Sequence, residues 1–186
     1  MFIQTEQTPN PNALKFLPGQ DIIDGAPVDI ADKDSAKRLS PLAARLFDVQ
    51  GVEGVFIARD YVSVTKGDAT EWIKIKPLIL AVIMDHVGGG MPILHENQAA
   101  ANDAARREEM DEISQQIDEL IDMRIRPAVA NDGGDITFSH FEDGIVYVQL
   151  RGACSGCPSA TITLKSGIEN MLKHYIPEVV EVRQVD

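Results

Sequence analysis

Three consecutive glycines, Gly88 to Gly90, divide this chain near its midpoint, and that division constrains the fold more than any other feature. They belong to "HVGGGMPILHENQAAANDAARREE", where a proline and an alanine-rich polar tract follow and apolar periodicity stops. Each flank carries its own succession of strand and helix patterns. The expected architecture is therefore α+β: two small α/β domains, 1–88 and 108–186, joined by a flexible hinge over 89–107. Fully flexible, residues 89–105 would hold their ends on the order of 20–25 Å apart. A phosphate-cradling role for the glycines fails, because no P-loop Lys-Ser/Thr pair follows and the setting is not strand-to-helix.

Composition removes several classes of function. Forty-four per cent apolar residues is enough for real cores. No apolar run reaches the roughly 20 residues of a membrane span; the longest candidate, "PLILAVIMDHVGGG", reads as a buried helix. Seventeen basic against 29 acidic residues give a formal charge of -12, so the basic footprint of a nucleic-acid binder is missing. The opening "MFIQTEQTPNPNALKFLPG" has neither the pattern of a secretion signal nor that of an Arg-rich transit peptide. The expected location is the cytoplasm of a bacterium, or the mitochondrial matrix for a processed eukaryotic form.

In the first half, "FIQTEQT" and "NALKFLP" read as strands around a Pro9-Asn10-Pro11-Asn12 turn. "SPLAARLFDV" reads as a helix with Ser40 as N-cap and Pro41 at its first position. "GVFIARDYVSVTK" is a hairpin turning at Arg59-Asp60, and "ATEWIKIKPLILAVIMDHV" is a helix. His86 is expected at the surface or in a capping role, and Trp72 in the core or an interface. No catalytic constellation is present here.

In the second half, Met110, Ile113, Ile117, Leu120, Ile121 and Ile125 recur at helical spacing behind the acidic residues Glu108, Glu109, Asp111 and Glu112. Pro127 disturbs that helix, and Asp132-Gly133-Gly134-Asp135 ends it in a turn; the EF-hand pattern for a calcium loop is absent. "DITFSHF" and "GIVYVQL" form a hairpin around Glu142-Asp143-Gly144, with His140 packed or at the rim. A helix from Ser159, presenting Leu164, Ile168, Met171, Leu172 and Tyr175, and a strand over "VVEVRQV" follow. The order is helix, hairpin, helix, strand.

The only two cysteines, Cys154 and Cys157, stand three residues apart between that hairpin and the second helix. Pro158 suits the first turn of the helix, which puts Cys157 at its mouth, where unpaired N–H groups and the helix dipole favour a thiolate. Arg151 adds positive charge, and Gly152 and Gly156 let backbone approach a ligand. A thiolate serves disulfide exchange and metal binding alike. A redox pair of the thioredoxin type belongs to a βαβ unit, and no parallel crossover is evident before these cysteines. A metal site needs more donors than one chain offers, since zinc and iron–sulfur clusters take four ligands; two chains about a two-fold axis supply four thiolates. Three readings stay open on chemistry alone: a metal site shared between chains, a thiol–disulfide oxidoreductase, and an inert pair.

"RPAVANDGGDITF" followed by "VQLRGACSGCPSATITLKSGIENML" closely resembles the NifU-like C-terminal domain of the Nfu iron–sulfur scaffold and carrier proteins. "MFIQTEQTPNPNALKFLPG" with "GVFIARDYVSVTK" is similar to the N-terminal domain of that family. The resemblance spans nearly the whole chain, and neither cysteine departs from it. It implies a carrier, not an enzyme. A [4Fe–4S] cluster would be held between two protomers by Cys154 and Cys157 of each, the metal ligands, with Gly152, Gly156 and Pro158 shaping the loop. Implied partners are a second copy of the chain in the cluster-bound form, upstream iron–sulfur assembly proteins and recipient apo iron–sulfur enzymes, with no nucleic acid and no membrane. The alternatives using the same Cys-x-x-Cys are a thiol–disulfide oxidoreductase and a zinc-linked structural dimer. Neither cysteine is expected in the core, so replacing one by serine is expected to spare the fold.

Overall fold

A computed structural model describes residues 2–95, 110–155 and 158–185, with side chains excluded over 158–164. It separates into two compact units, Met1–Ala100 and Ala101–Asp186.

The first unit is a five-stranded sheet, β1 (Gln4–Gln7), β2 (Ala13–Leu17), β3 (Val28–Ile30), β4 (Val52–Ile57) and β5 (Val62–Lys66), in the order β1-β2-β5-β4-β3. Every pairing is antiparallel. Helices α1 (Lys33–Leu39), α2 (Pro41–Phe47) and α3 (Trp72–Gly88) complete it. Alternation along the strands sends Leu14, Phe16, Val55, Ile57, Val62 and Val64 into one buried cluster with Leu42, Leu46, Ile75, Ile79 and Ile83 of the helices. Ser40 caps α2 as expected, its Oγ accepting from the Ala43 N–H at 3.0 Å. The sequence reading assigned nothing over β3 and α1. A three-residue strand and a seven-residue helix carry too little periodicity to register, although Asp32, which caps α1 by accepting from the Asp34 and Ser35 N–H groups, was a readable signal.

The glycine run does a local job. Gly88 is the last residue of α3 and Gly89 its C-cap. The chain beyond is tied back: His86 lies 2.9 Å from the Pro92 carbonyl through Nε2, Ser40 Oγ donates to the Ile93 carbonyl, and the His95 N–H donates to the Leu39 carbonyl at 2.9 Å. His86 is therefore 1% exposed, which corrects the surface placement; its ring binds the returning chain, a contact no local pattern signals. Residues 96–109, which hold most of the expected hinge together with Glu108 and Glu109, lie outside the described residues.

The second unit opens with α4 (Glu112–Leu120), capped by Asp111. A π turn, Ile121–Ile125, and α5 (Arg126–Asn131) continue it. The π turn is where Pro127 is absorbed: the Arg126 N–H bonds to the Ile121 carbonyl five residues back, one position before the residue that has no N–H to give. Strands β6 (Gly134–Glu142) and β7 (Ile145–Gly152) form the hairpin, turning through Asp143 (φ 49°) and Gly144 (φ 79°). Positive φ at both central residues is the two-residue turn whose twist matches the strands. Helix α6 (Pro158–Tyr175) and β8 (Glu181–Gln184) follow, and the sheet order is β6-β7-β8. The core joins Ile117, Ile121, Ile125 and Val129 to Ile136, Val146, Val148, Ile168 and Leu172.

One pairing departs from the sequence reading. β8 lies parallel to β7, so β7, α6 and β8 make a βαβ crossover with the cysteine loop at its first junction. The sequence weighed against a redox pair for want of such a unit ahead of the cysteines. The crossover comes after them, and parallel pairing of distant segments leaves no mark on local periodicity.

Candidate functional site

The loop between β7 and α6 begins with a turn in which the Ser155 N–H donates to the Gly152 carbonyl at 3.0 Å, with Gly152 at φ 65°. Ala153 and Cys154 occupy its centre and both are buried. Gly156 and Cys157 lie outside the described residues; Pro158, just beyond, starts α6 as expected.

Cys154 is 3% exposed and belongs to the unit's apolar cluster as a buried thiol. This overturns the expectation that neither cysteine is core. The cause is a shape match that spacing does not reveal. Gly134, first residue of β6, lies against the cysteine so closely that a Cβ there would stand 2.7 Å from Cys154 Sγ and 2.6 Å from the Arg151 carbonyl. Only glycine lets the thiol sit in that position. Next to it, the Gly133 carbonyl accepts the Ala153 N–H at 3.2 Å. The Asp132-Gly133-Gly134-Asp135 turn, read in the sequence as a helix stop, is thus also the floor of the cysteine loop.

Asp135, which follows the glycine corner, belongs to a chain of ionic contacts. Arg126 Nε donates to Asp135 Oδ1 at 2.8 Å, and Arg126 Nη1 contacts Asp122 Oδ1 at 2.6 Å. Asp135 is 2% exposed, and its Oδ2 has no hydrogen-bond partner among the described residues. Arg151, expected to lend charge to the thiols, spends a guanidinium N–H on Gln149 Oε1 at 2.9 Å. His140 stacks on Tyr147 with ring centroids 4.2 Å apart at the sheet surface, away from any thiol role.

The donor set suits a soft metal and is incomplete within one chain. Among the described residues no three His, Cys, Asp or Glu side chains gather as a metal site. Two thiolates per chain fit a site completed by a second chain. Among the described residues no helix is long and apolar enough to cross a membrane.

A small mixed α/β domain with a cysteine pair at a strand-to-helix junction, preceded by a second domain without cysteine, defines the class. Residues 3–90 match the family described as "Scaffold protein Nfu/NifU N terminal", and residues 117–183 match the "NifU-like domain". The chain belongs to the Nfu family and carries both domains. A Drosophila erecta protein named "NFU1 iron-sulfur cluster scaffold homolog, mitochondrial" is 50% identical over 186 residues, all of this chain and 65% of the relative. The Drosophila virilis protein of the same name is 49% identical over 185 residues, with 62% of its length covered. The chain thus spans a little under two thirds of these relatives. Among solved structures, a NifU-like protein from Saccharomyces cerevisiae is 28% identical, with a TM-score of 0.45, covering 52% of this chain and 87% of that one.

Proposed function

We propose that this protein is an iron–sulfur scaffold and carrier that holds a [4Fe–4S] cluster between two copies of the chain and passes it to apo-proteins. The observation that carries the reading is the placement of the only two cysteines at the β7–α6 junction of the NifU-like unit, with a glycine floor beneath Cys154. Cys154 and Cys157 of each chain are the ligands. The cluster is cargo. Its delivery exchanges one thiolate for another at iron, with no bond to carbon made or broken and no electron transferred, so the protein needs no catalytic group and is not an enzyme. Because Cys154 is packed in the core, the loop opens before its sulfur can meet iron.

The two-chain arrangement follows from counting donors: four thiolates, two from each chain, make the protein a dimer when loaded and leave it monomeric when empty. Partners are assembly proteins that supply the cluster and apo-enzymes that receive it. The first unit, without cysteine or catalytic set, serves recognition of those partners. The Drosophila relatives are named mitochondrial, which supports the matrix, the second location weighed from the sequence.

Anaerobic reconstitution with ferrous iron and sulfide tests this reading. The expected product is a brown protein with thiolate-to-iron charge-transfer absorption, about four irons per two chains and dimeric mass by light scattering. A colourless zinc dimer would replace the reading with a structural metal site. The βαβ crossover favours a second reading, a thiol–disulfide oxidoreductase. That reading requires a reversible Cys154–Cys157 disulfide and no iron uptake.

A further inference from the structure

Arg126 stands where three elements meet. It is the first residue of α5, it contacts Asp122 in the π turn, and it bonds Asp135 in β6. The segment between Arg126 and Asp135 contains the Gly133–Gly134 corner. Gly133 supplies the carbonyl that holds Ala153, and Gly134 supplies the space that Cys154 fills. The ion pair and the thiol are thus joined through one short piece of backbone.

The carboxylate does not compete as an iron ligand. Neighbouring residues on a strand face opposite ways, and the missing Cβ of Gly134 points at Cys154, so the Asp135 side chain points away from the thiol. Burial makes its role a different one. A buried carboxylate is costly unless paired, and removing one member of such a pair leaves the other charge stranded. Without Arg126 the buried Asp135 carboxylate loses its ionic partner, and Gly134 and Gly133 are the residues next to it in the chain. Asp135 Oδ2 has no donor among the described residues, which leaves the Arg126 bond to Oδ1 as the hydrogen bond seen there for this buried carboxylate.

We propose that Asp122, Arg126 and Asp135 form the positioning device of Cys154: they hold the glycine corner that keeps the thiol packed in the empty carrier, and they set how readily it swings out to meet iron. The proposal takes its purpose from the carrier reading, but thiol exposure is measurable with no cluster present.

The test uses the full chain, metal-free, in a Cys157→Ser background so that Cys154 is the only thiol. Iodoacetamide labelling is timed under native conditions, and a urea melt of each protein gives its global unfolding constant. With Arg126 intact, labelling is expected to be slow. Arg126→Leu is expected to speed it by about tenfold beyond the rise in the globally unfolded population, the mark of a local opening. Arg126→Lys, which keeps a charge without the planar fork, is expected to fall between the two. Asp135→Asn, which keeps an acceptor for Arg126 and sheds the buried charge, is expected to show a smaller excess than Arg126→Leu. Rates that track the global unfolding constant one-to-one in all three proteins would overturn the proposal, as would labelling of the Cys157→Ser parent, with Arg126 intact, at the rate of an exposed thiol. Should Arg126→Leu not fold, the other two substitutions decide by the same criterion. Slow labelling, with no iron taken up by the protein that keeps both cysteines, would sink the carrier reading and leave this one standing; iron uptake by that protein together with fast labelling of Cys154 would do the reverse.

Discussion

The two units use the same local plan, a hairpin running through a short loop into a long helix, and they fill that loop in opposite ways. In the first unit β4 and β5 lead through Gly67 to Glu71 into α3. That junction is closed by polar bonds. Lys66 Nζ donates to Asn12 Oδ1 at 2.9 Å and to the Gly67 carbonyl at 3.3 Å, Asn12 Nδ2 donates to Asp68, and Trp72 Nε1 donates to the Pro11 carbonyl at 3.0 Å. In the second unit β6 and β7 lead through the cysteine loop into α6, and the described part of that junction includes two backbone bonds, from the Ser155 N–H to the Gly152 carbonyl and from the Ala153 N–H to the Gly133 carbonyl, and the fit of a thiol against a glycine. A loop stapled by side-chain bonds stays in one state. A loop that depends on packing against a glycine corner can open locally, which suits the carrier role proposed above.

The largest effect that tests this contrast is on metal content. In the proposed symmetric dimer Cys154→Ser or Cys157→Ser removes two of four ligands, and iron bound after reconstitution is expected to fall to background. Burial of Cys154 adds a second consequence that separates the two changes. Cys154→Ser puts a hydroxyl into the apolar cluster and is expected to cost about 1–3 kcal/mol in a urea melt. Retention of full iron content by either serine protein would end the ligand assignment.

Next in size is the polar junction of the first unit. Lys66→Met strands Asn12 Oδ1 and is expected to cost about 1–3 kcal/mol in the unfolding of that unit, with iron content unchanged. Loss of cluster in that protein would show that the units are not independent in function. Gly134→Ala turns the contrast around by crowding the corner. The Arg151 carbonyl is backbone and cannot yield as a side-chain tip does, so a loss of about 1–3 kcal/mol is expected together with faster alkylation of Cys154. An alanine protein with unchanged stability and labelling would mean that the glycine does not set the thiol's position.

The smallest effect is on acid stability. On α6, Glu169 accepts from Lys173 Nζ at 2.6 Å and from the Val182 N–H of β8 at 3.1 Å, and these bonds, the Lys173 one foremost, hold its carboxyl below the usual range. A carboxyl depressed in the folded state stabilises fully above its unfolded pKa, and that contribution drains away as pH falls through the folded value. The melting-temperature gap between wild type and Glu169→Gln is therefore expected to be flat above about pH 5 and to close in more acid solution. A gap that widens on acidification would contradict the assigned bonds.

Much of this was legible beforehand, for identifiable reasons. The Asp143-Gly144 turn, the Ser40 cap, the Pro127 disturbance and the start of α6 at Pro158 depend on residues within a few positions of one another. Such signals survive without tertiary context. The three-residue β3 was too short to announce itself, and His86 was misplaced because its partner, the Pro92 carbonyl, lies on the return path of the chain.

Taken alone, the sequence determined the reactive groups on offer: two thiols three residues apart ahead of a proline-started helix, in a chain that otherwise avoids cysteine. It also determined the two-unit division and the family, because residue type and motif spacing are local properties. Only the tertiary structure decided what the thiol touches. Gly134 and Cys154 are 20 positions apart, and Arg126 reaches Asp135 across a helix end. β7 and β8 pair in parallel across the whole of α6. These contacts are chosen by the packing of complete elements against each other, and hydrophobic period and turn chemistry carry no record of which elements will meet.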